Sequence, residues 1–427
     1  MYDAIVVGAR CAGASAALLL ARQGRRVLLV DRMKFPSDTM STLYIHPPGI
    51  ALLARWGVLD AVAASGCPPL ETVGYDVAGL RLTVPTPSTP YARVAYAPRR
   101  QVLDHLLVGA AVAAGADFAE RTSLREVIWR DGRAAGVRIR TPEGLESVPA
   151  KLVIGADGRQ SRLAALVDAP FRKQDELATC VYYSCWKNVE ADFGYHERPD
   201  SWIVRIPTHD GVTVVATYFP QDQFAQIRLD PLAAHLETIK QNAPDLHDRL
   251  AGAERVERLV GTGRQQNYFR RMNGPGWALA GDAAHHLDSI TARGITNALT
   301  QAQLLSDALA GQDLDDAGGL DARLARFAEE SYGTLGEPYK TTLELARLRL
   351  TDSRAALLRA VARSPELTRR YFAMIAGVID RSEFFTPELA ELLPAAARWT
   401  APAEPAEPAE PAGPAGPERG EVTTTPR

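Results

Sequence analysis

Ala4-Ile5-Val6-Val7-Gly8-Ala9-Arg10-Cys11-Ala12-Gly13, followed by Val27-Leu28-Leu29-Val30-Asp31, is the stretch whose reading decides the fold. The four apolar residues before Gly8 read as a short strand buried on both faces, as in a parallel sheet. From Ala12 to Arg22 the chain is rich in Ala and Leu and free of Pro, which predicts a helix, with Gly24 placed to end it in the left-handed conformation. The second apolar run completes a β-α-β unit, whose crossover should be right-handed. Gly8 permits the tight turn, and Gly13 lets the helix pack closely on the strand. The helix start then offers free N–H groups and a positive dipole end to a pyrophosphate. Asp31 stands where a carboxylate accepts hydrogen bonds from ribose hydroxyls. Arg10 departs from the pattern, since a glycine there normally lets backbone approach phosphate. Its side chain must point away or reach the phosphates itself. At the head of a chain this fingerprint fits FAD and NAD alike.

Composition narrows the remaining classes. The 427 residues suffice for one large or two ordinary domains. A hydrophobic share of 46% with 23% charged residues is that of a soluble globular protein. A formal net charge of −3 leaves no basic excess for neutralising phosphates, which argues against a nucleic-acid partner. Cys11, Cys67, Cys180 and Cys185 are too few and too scattered for a disulfide framework, and no CxxC pair signals a metal site. No apolar run is long enough to span a bilayer. The N-terminus lacks a basic region followed by a cleavage site, so the expected compartment is the cytoplasm. The oligomeric expectation is a monomer or homodimer.

Along the chain, Pro47-Pro48 opens a helix to about Arg55, and Gln101 to Ala114 is an amphipathic helix with Leu103, Leu106, Leu107 and Ala110 on one face. From Ser123 to Val153, β-branched runs alternate with Asp131-Gly132 and Glu143-Gly144, which predicts hairpins. Strands are expected over Thr179–Lys187, Trp202–Pro207 and Val212–Tyr218, forming an antiparallel sheet. Trp277-Ala278-Leu279-Ala280 reads as another buried strand, after which the pattern is helical to about Ile379. The expected fold class is α/β: a Rossmann-like cofactor-binding domain, an antiparallel-sheet substrate domain and a helical C-terminal region. The expected segments are 1–172 with 260–312, then 173–259, then 313–397. The Ala/Glu/Pro-rich tail 398–427 cannot bury enough apolar surface to offset its chain entropy and should be disordered.

Two further motifs choose between the dinucleotides. Asp157-Gly158, after the buried run Lys151 to Gly155, resembles the Asp-Gly motif of flavoprotein hydroxylases. Gly281-Asp282-Ala283-Ala284-His285 resembles their Gly-Asp motif. With the N-terminal fingerprint these stand in the order and approximate spacing of the FAD-dependent monooxygenase family with the hydroxybenzoate-hydroxylase fold. That superfamily also holds geranylgeranyl reductases and flavin-dependent halogenases. The resemblance covers roughly residues 2 to 390 and implies FAD as cofactor. It implies contacts to FAD from Gly8, Arg10, Cys11, Ala12, Gly13, Asp31, Arg32, Thr42, Arg100, Asp157, Gly281, Asp282, Gly294 and Ile295. Asp282 would take ribityl or ribose hydroxyls, and Arg100 would approach the diphosphate or ribityl chain. After Asp282 the chain departs from the family: Ser289 stands for the usual proline, and Arg293 for a neutral residue. Gly294 still lets backbone approach a flat ring. A helix beginning there aims its positive end at the flavin N1/C2 carbonyl region, where Arg293 would assist.

The reaction implied is a monooxygenation of a small organic, aromatic or secondary-metabolite substrate. NAD(P)H would bind transiently and reduce FAD, and molecular oxygen would then be activated as a flavin C4a-hydroperoxide. His46, Arg293 and His285 are the catalytic candidates, with His286 beside them. Substrate contacts are expected from the middle sheet, with Tyr183, Trp202 and Val204 as candidates. Alternation puts Tyr182, Ser184 and Trp186 on one face and Val181, Tyr183 and Cys185 on the other, without deciding which looks toward the flavin. A reductase of isoprenoid double bonds is the alternative. Trp202-Ile203-Val204-Arg205-Ile206-Pro207 keeps part of a halogenase pattern, but only Lys34 is available as the lysine that chemistry needs. An FAD-binding protein without turnover is a further alternative. No metal site is expected.

Overall fold

The computed structural model describes residues 1–77 and 79–393. The predicted Ala/Glu/Pro-rich tail, with the last residues of the predicted helical region, lies outside the described residues. The N-terminal β-α-β unit is present as the strand Tyr2–Val7, the helix Cys11–Arg22 and the strand Val27–Val30. Gly24 sits at φ +78°, the left-handed residue expected after the helix. Val27–Val30 pairs in parallel with Tyr2–Val7, which pairs in parallel with Leu145–Gly155 on its other side. Asp117–Ala119 and Trp277–Leu279 extend the parallel sheet at its two edges. All four residues of Val27–Val30 are buried, as a strand covered on both faces must be. The hairpin Ser123–Arg130/Arg133–Arg140 turns at Asp131-Gly132, both with positive φ, and pairs onto the far end of the long Leu145–Gly155 strand. The helices Cys11–Arg22 and Gly294–Leu309 pack against one another beside this sheet, and Arg100–Ala113 packs on the first of them.

The second sheet runs in the order Glu254–Arg255, Thr179–Lys187, Val212–Pro220, Ser201–Pro207, Gly194–Arg198, Thr72–Val77, Leu80–Pro85. Its three central strands are those the alternation predicts. The last two strands differ from the predicted segmentation, which assigns residues 72–85 to the cofactor-binding part. In the structure they join Gly194–Arg198 through a parallel pairing. Thr72–Val77 does carry the period-2 signal, since every second residue is buried. A strand that leaves one sheet's sequence territory for another is settled by long-range pairing, which local pattern does not encode. A third small sheet joins His285–His286, Asn267–Arg270 and Phe171–Asp175.

One face of the second sheet carries Val181, Tyr183, Trp202, Val204, Ile206, Val214, Ala216 and Tyr218, in a core shared with Tyr44, Ile290, Ala292 and the C-terminal helices. The opposite face, with Trp186, Ile203 and Val215, is covered by the helices Pro231–Asn242 and Pro244–Ala251. The face left open in sequence is thereby assigned: Tyr183, Trp202 and Val204 point to the side of the loop 288–293. The C-terminal helices Asp352–Val361 and Pro365–Ala376 close over this core. A buried pair fastens them, because Arg354 donates to both carboxylate oxygens of Glu197 at 2.6 and 2.7 Å.

Candidate cofactor and substrate site

The N-terminal fingerprint folds for steric reasons that glycine alone meets. Gly8 has φ +101°, and a Cβ there would sit 2.4 Å from the Ala156 carbonyl oxygen. A Cβ on Gly13 would lie 1.8 Å from the Gly8 carbonyl oxygen, so the helix approaches the turn only without a side chain. No side chain caps the Cys11–Arg22 helix, and its first turn carries no acid. That leaves N–H donors and a positive helix end open to a phosphate. The Asp31 carboxylate accepts from the Ala9 and Met33 amides, both at 2.8 Å, so it stiffens the turn at the place where ribose would lie. Cys11 and Ala12 are buried in the helix start, Thr42 is buried, and Arg32 is exposed beside Asp31.

Arg10 resolves the departure noted in the sequence. Its guanidinium turns aside and donates to Asp104 at 2.8 Å and to the Ser37 hydroxyl at 3.1 Å. Asp104, fully buried, also accepts from Arg100 at 3.0 Å and from the Cys11 thiol at 3.2 Å. One carboxylate therefore holds two arginines beside the helix start. Sequence reading passed over Asp104, although its i+4 spacing from Arg100 on a helix was a usable signal. Asp282 adds to the field that holds the Arg100 guanidinium charged, although burial opposes it.

Asp157 is placed differently from what its motif suggests. Its carboxylate accepts from the Ser161 hydroxyl at 2.5 Å and from the Arg162 amide at 2.6 Å, at the start of the helix Arg162–Leu166. Burial raises its pKa from the ordinary value. The motif thus builds a turn beside Gly8 and leaves this acid spent on backbone.

The Gly-Asp turn keeps its side chain available. Gly281 has φ +61°, its amide donates to Gln301 at 2.7 Å, and a Cβ would meet that of Ala12 at 2.7 Å. Asp282 accepts from Tyr268 through its backbone carbonyl at 2.6 Å, while its half-buried carboxylate has no hydrogen-bond partner among the described residues. Downstream, the helix Gly294–Leu309 also starts without a side-chain cap. Gly294 is exposed, with open space where a Cβ would stand, and Ile295 behind it is buried. Two uncapped helix starts, a free carboxylate between them and a bare glycine fit a dinucleotide ending in a flat ring.

The histidines have other duties. His285 is buried and stacks on Phe269 at 4.2 Å, with Nδ1 at 3.1 Å from the Tyr268 carbonyl and Nε2 at 3.4 Å from Asn297. Burial pushes its pKa down to about 3, so it is a neutral packing residue at ordinary pH. His286 likewise meets the Gln266 carbonyl and stacks on Tyr268. His46 straps the loop before Gly294: its amide donates to Thr296 at 3.0 Å, and Nε2 donates to the Thr291 carbonyl at 2.9 Å. Burial, aided by the Arg293 charge, pushes its pKa down to about 3.

The loop itself is tied to the second sheet by hydroxyls. Ser289 meets the Tyr183 and Tyr218 hydroxyls at 2.9 and 3.0 Å and donates to Gln265 at 2.6 Å. Asp288 accepts from Thr179 at 2.7 Å and from the Ile290 amide at 3.0 Å, while burial pushes its pKa up to about 6. Ser289 in the proline position is thus the joint between loop and sheet. Arg293 donates to the Ile375 carbonyl at 2.6 Å, at the end of a C-terminal helix.

This arrangement defines a dinucleotide-binding flavoprotein whose second sheet is joined to the cofactor-binding part through the loop 288–293. The family model described as "FAD binding domain" matches residues 1–321, and the chain belongs to that family. It is an FAD-dependent oxidoreductase. Digeranylgeranylglycerophospholipid reductase 2 of Methanothermobacter thermautotrophicus is 27% identical over 362 residues, covering 81% of this chain and 87% of the relative. The corresponding reductase of Thermoplasma volcanium is 26% identical over 73% of this chain and 80% of its own. Among solved structures, the myxobacterial chondrochloren halogenase CndH superposes with a TM-score of 0.72 at 23% identity, covering 92% of this chain and 95% of the other. PqsL, a probable FAD-dependent monooxygenase from Pseudomonas aeruginosa, gives 0.66 at 20% identity, covering 88% and 99%. At such identities these two show a shared fold. No helix among the described residues is long and apolar enough to cross a membrane.

Proposed function

We propose that the protein is an NAD(P)H-driven monooxygenase that inserts one oxygen atom into a small aromatic or otherwise unsaturated substrate. The observation carrying this reading is the aromatic row packed in the same core as Ile290 and Ala292 of the loop 288–293. Tyr44 stacks on Phe193 at 4.2 Å, and Tyr195 and Trp202 continue the row at 5.0 and 5.3 Å. Such a row would keep water out and offer aromatic faces to a flat substrate. FAD, when bound and reduced, supplies the electrons for oxygen activation. In balance, NAD(P)H, a proton, O2 and the substrate give NAD(P)+, water and the hydroxylated or epoxidised product.

The chain's own residues account for binding and orientation. Gly8, Gly13 and the open helix start receive the pyrophosphate, with Arg100 nearby, and Asp282 receives ribityl or ribose hydroxyls. The uncapped Gly294–Leu309 helix would offer its positive end to negative charge on the reduced flavin. The Tyr183–Tyr218–Ser289 hydroxyls fix the loop and offer hydrogen bonds to an oxygenated substrate, while Trp202 and Val204 supply apolar contact. His46 and His285, neutral and engaged with backbone, position the loop and the Gly-Asp turn.

A reductase of isoprenoid double bonds is the second reading, favoured by the names of the curated relatives. Against it, no cysteine-containing signature of such reductases is apparent in the sequence, where none of the four cysteines stands within residues 41–46 or 288–294. Halogenation lacks its lysine, since Lys34 is exposed on the loop after Asp31. The test is a parallel record of NAD(P)H and O2 consumption by purified FAD-loaded protein with a substrate panel. Equimolar consumption accelerated by substrate supports oxygen insertion. Reduced flavin that persists in air while an alkene is saturated replaces this reading with the reductase.

A further inference from the structure

Between the strand Val27–Val30 and the helix Pro47–Arg55 the chain forms no helix or strand, only the bridge of Ile45 to Tyr96. This segment leaves Asp31, whose carboxylate stiffens the turn after Gly8, and arrives at His46, strapped to the Thr291 carbonyl. It therefore joins the two ends of the cofactor site. Near its start, the Phe35 amide donates to Glu120 at 2.8 Å and the Phe35 ring meets Phe118 edge-on at 5.6 Å. At its end, Thr42 to His46 are buried, and the Ile45 amide donates to the Tyr96 carbonyl at 2.9 Å. Between these anchors lie residues 36–41, of which Pro36, Asp38, Thr39 and Met40 are exposed.

Among the described residues, the hydrogen bonds that reach 36–41 from outside the segment 32–45 all come from Arg10. Its guanidinium donates to the Ser37 carbonyl at 3.4 Å, the Ser37 hydroxyl at 3.1 Å and the Asp38 carbonyl at 3.3 Å. The same guanidinium donates to Asp104 at 2.8 Å. Asp104 is fully buried in the helix Arg100–Ala113, where Arg100 and the Cys11 thiol also donate to it. One side chain serves both sides because the guanidinium is a planar fork with five N–H donors. Arg10 itself is the residue just before the first turn of Cys11–Arg22, the helix start left open to a phosphate. It thus joins the phosphate-facing turn, a buried carboxylate and the otherwise untied middle of the segment.

We propose that Arg10 is a positioning residue that retains the cofactor: braced on Asp104, it holds residues 36–41 beside the helix start, and this tie must open before FAD is released. A glycine at the position lets backbone approach phosphate but ties nothing. This chain keeps Gly8 and Gly13 for the close approach and uses position 10 for retention. A segment held by so few bonds opens locally, so the effect falls on the rate of release. The proposal rests on FAD binding, which the family membership shows, and not on the reaction proposed above. A guanidinium acting only as a charge near the pyrophosphate behaves differently at Asp104. Neutralising Asp104 strengthens a purely coulombic pull and slows release, whereas it removes the brace and quickens release if the tie is what counts.

The test follows release and not turnover. FAD-loaded protein is diluted and the rise in flavin fluorescence recorded, with thermolysin cleavage within residues 36–41 measured in parallel. Arg10→Gly should release FAD at least about tenfold faster and be cut faster in 36–41, as the loss of several charge-assisted hydrogen bonds requires. Arg10→Lys keeps the charge but not the fork and should fall close to Arg10→Gly. Asp104→Asn should also quicken release, and adding Arg10→Gly to it should change little, because both open the same tie. The Arg10 side chain is 26% exposed, so its variants decide the matter even where Asp104→Asn fails to fold. Release from Arg10→Gly as slow as from the unaltered protein, or slower, overturns the proposal. Full retention in Arg10→Lys or slower release from folded Asp104→Asn does the same, since either leaves the guanidinium as a charge alone. Faster release without faster cleavage of 36–41 places Arg10 on the cofactor itself and likewise overturns it.

Discussion

At the scale of single residues, the cofactor site depends on where side chains are missing as much as on where they stand. Gly13 meets the Gly8 carbonyl so closely that even a methyl group has no room. Gly13→Ala should lower the thermal midpoint and yield protein with little retained flavin, read from the visible flavin absorbance relative to that of the protein. Asp282 is the opposite case, an acid whose carboxylate the protein leaves unused. Asp282→Ala should give colourless or easily bleached protein of nearly unchanged stability. Full yellow colour with unaltered FAD affinity would sink its assignment. The glycines and Asp282 were legible in sequence because their constraint is local. Arg10 and Asp157 were not: their partners, Asp104 and the amides of the Arg162–Leu166 helix, become visible only once the chain has folded.

At the scale of elements, the loop 288–293 is held between two layers. Ser289 satisfies two tyrosine hydroxyls of the second sheet and the side chain of Gln265. Ser289→Ala strips them of that partner and should cost about 1–3 kcal/mol, the usual penalty for buried polar groups left unpaired. Restoring the family's proline is worse, since the Ser289 amide also donates to Gln265 at 3.1 Å. The C-terminal helices depend on another buried contact, since Arg354 answers a Glu197 that is 4% exposed. Arg354→Ala should cost about 3–5 kcal/mol by stranding that carboxylate, and Glu197→Gln with Arg354→Met should recover part of it. Thermal or urea unfolding measures both. Period-2 and helical patterns located most of these elements. The pairing of Thr72–Val77 with Gly194–Arg198 escaped because its partner lies far along the chain.

At the scale of the whole molecule, buried titratable groups set the acid limit of stability. His46, His235 and His285 are each pushed down to about 3 by burial. The unfolded chain takes up those protons near pH 6.5, whereas the fold refuses them until about pH 3. Below pH 6.5 the unfolded state therefore binds more protons, and each histidine removes roughly 1.4 kcal/mol of stability per pH unit. Asp288 acts in the other direction: its carboxyl, raised to about 6, is protonated first in the fold, which adds stability as pH falls from about 6 toward 4. Three groups outweigh one, so the thermal midpoint should fall steadily from pH 7 to pH 5. His285→Phe should flatten that slope, and an unchanged slope would show that its ring is not held neutral.

The sequence by itself determined the cofactor half of the protein. A strand, two glycines, a helix and an acid lie within a short span, and each acts through sterics or dipoles that neighbouring residues impose. The Gly-Asp turn and the three central strands of the second sheet were readable for the same reason. The tertiary structure alone decided which sheet face meets the loop 288–293, that Asp104 gathers Arg10 and Arg100, that Asp157 is engaged by the first amides of the Arg162–Leu166 helix, and that Arg293 has no carboxylate within reach among the described residues. Those outcomes depend on which distant groups are brought together and which are kept from water, and neither is written in any local pattern of residues.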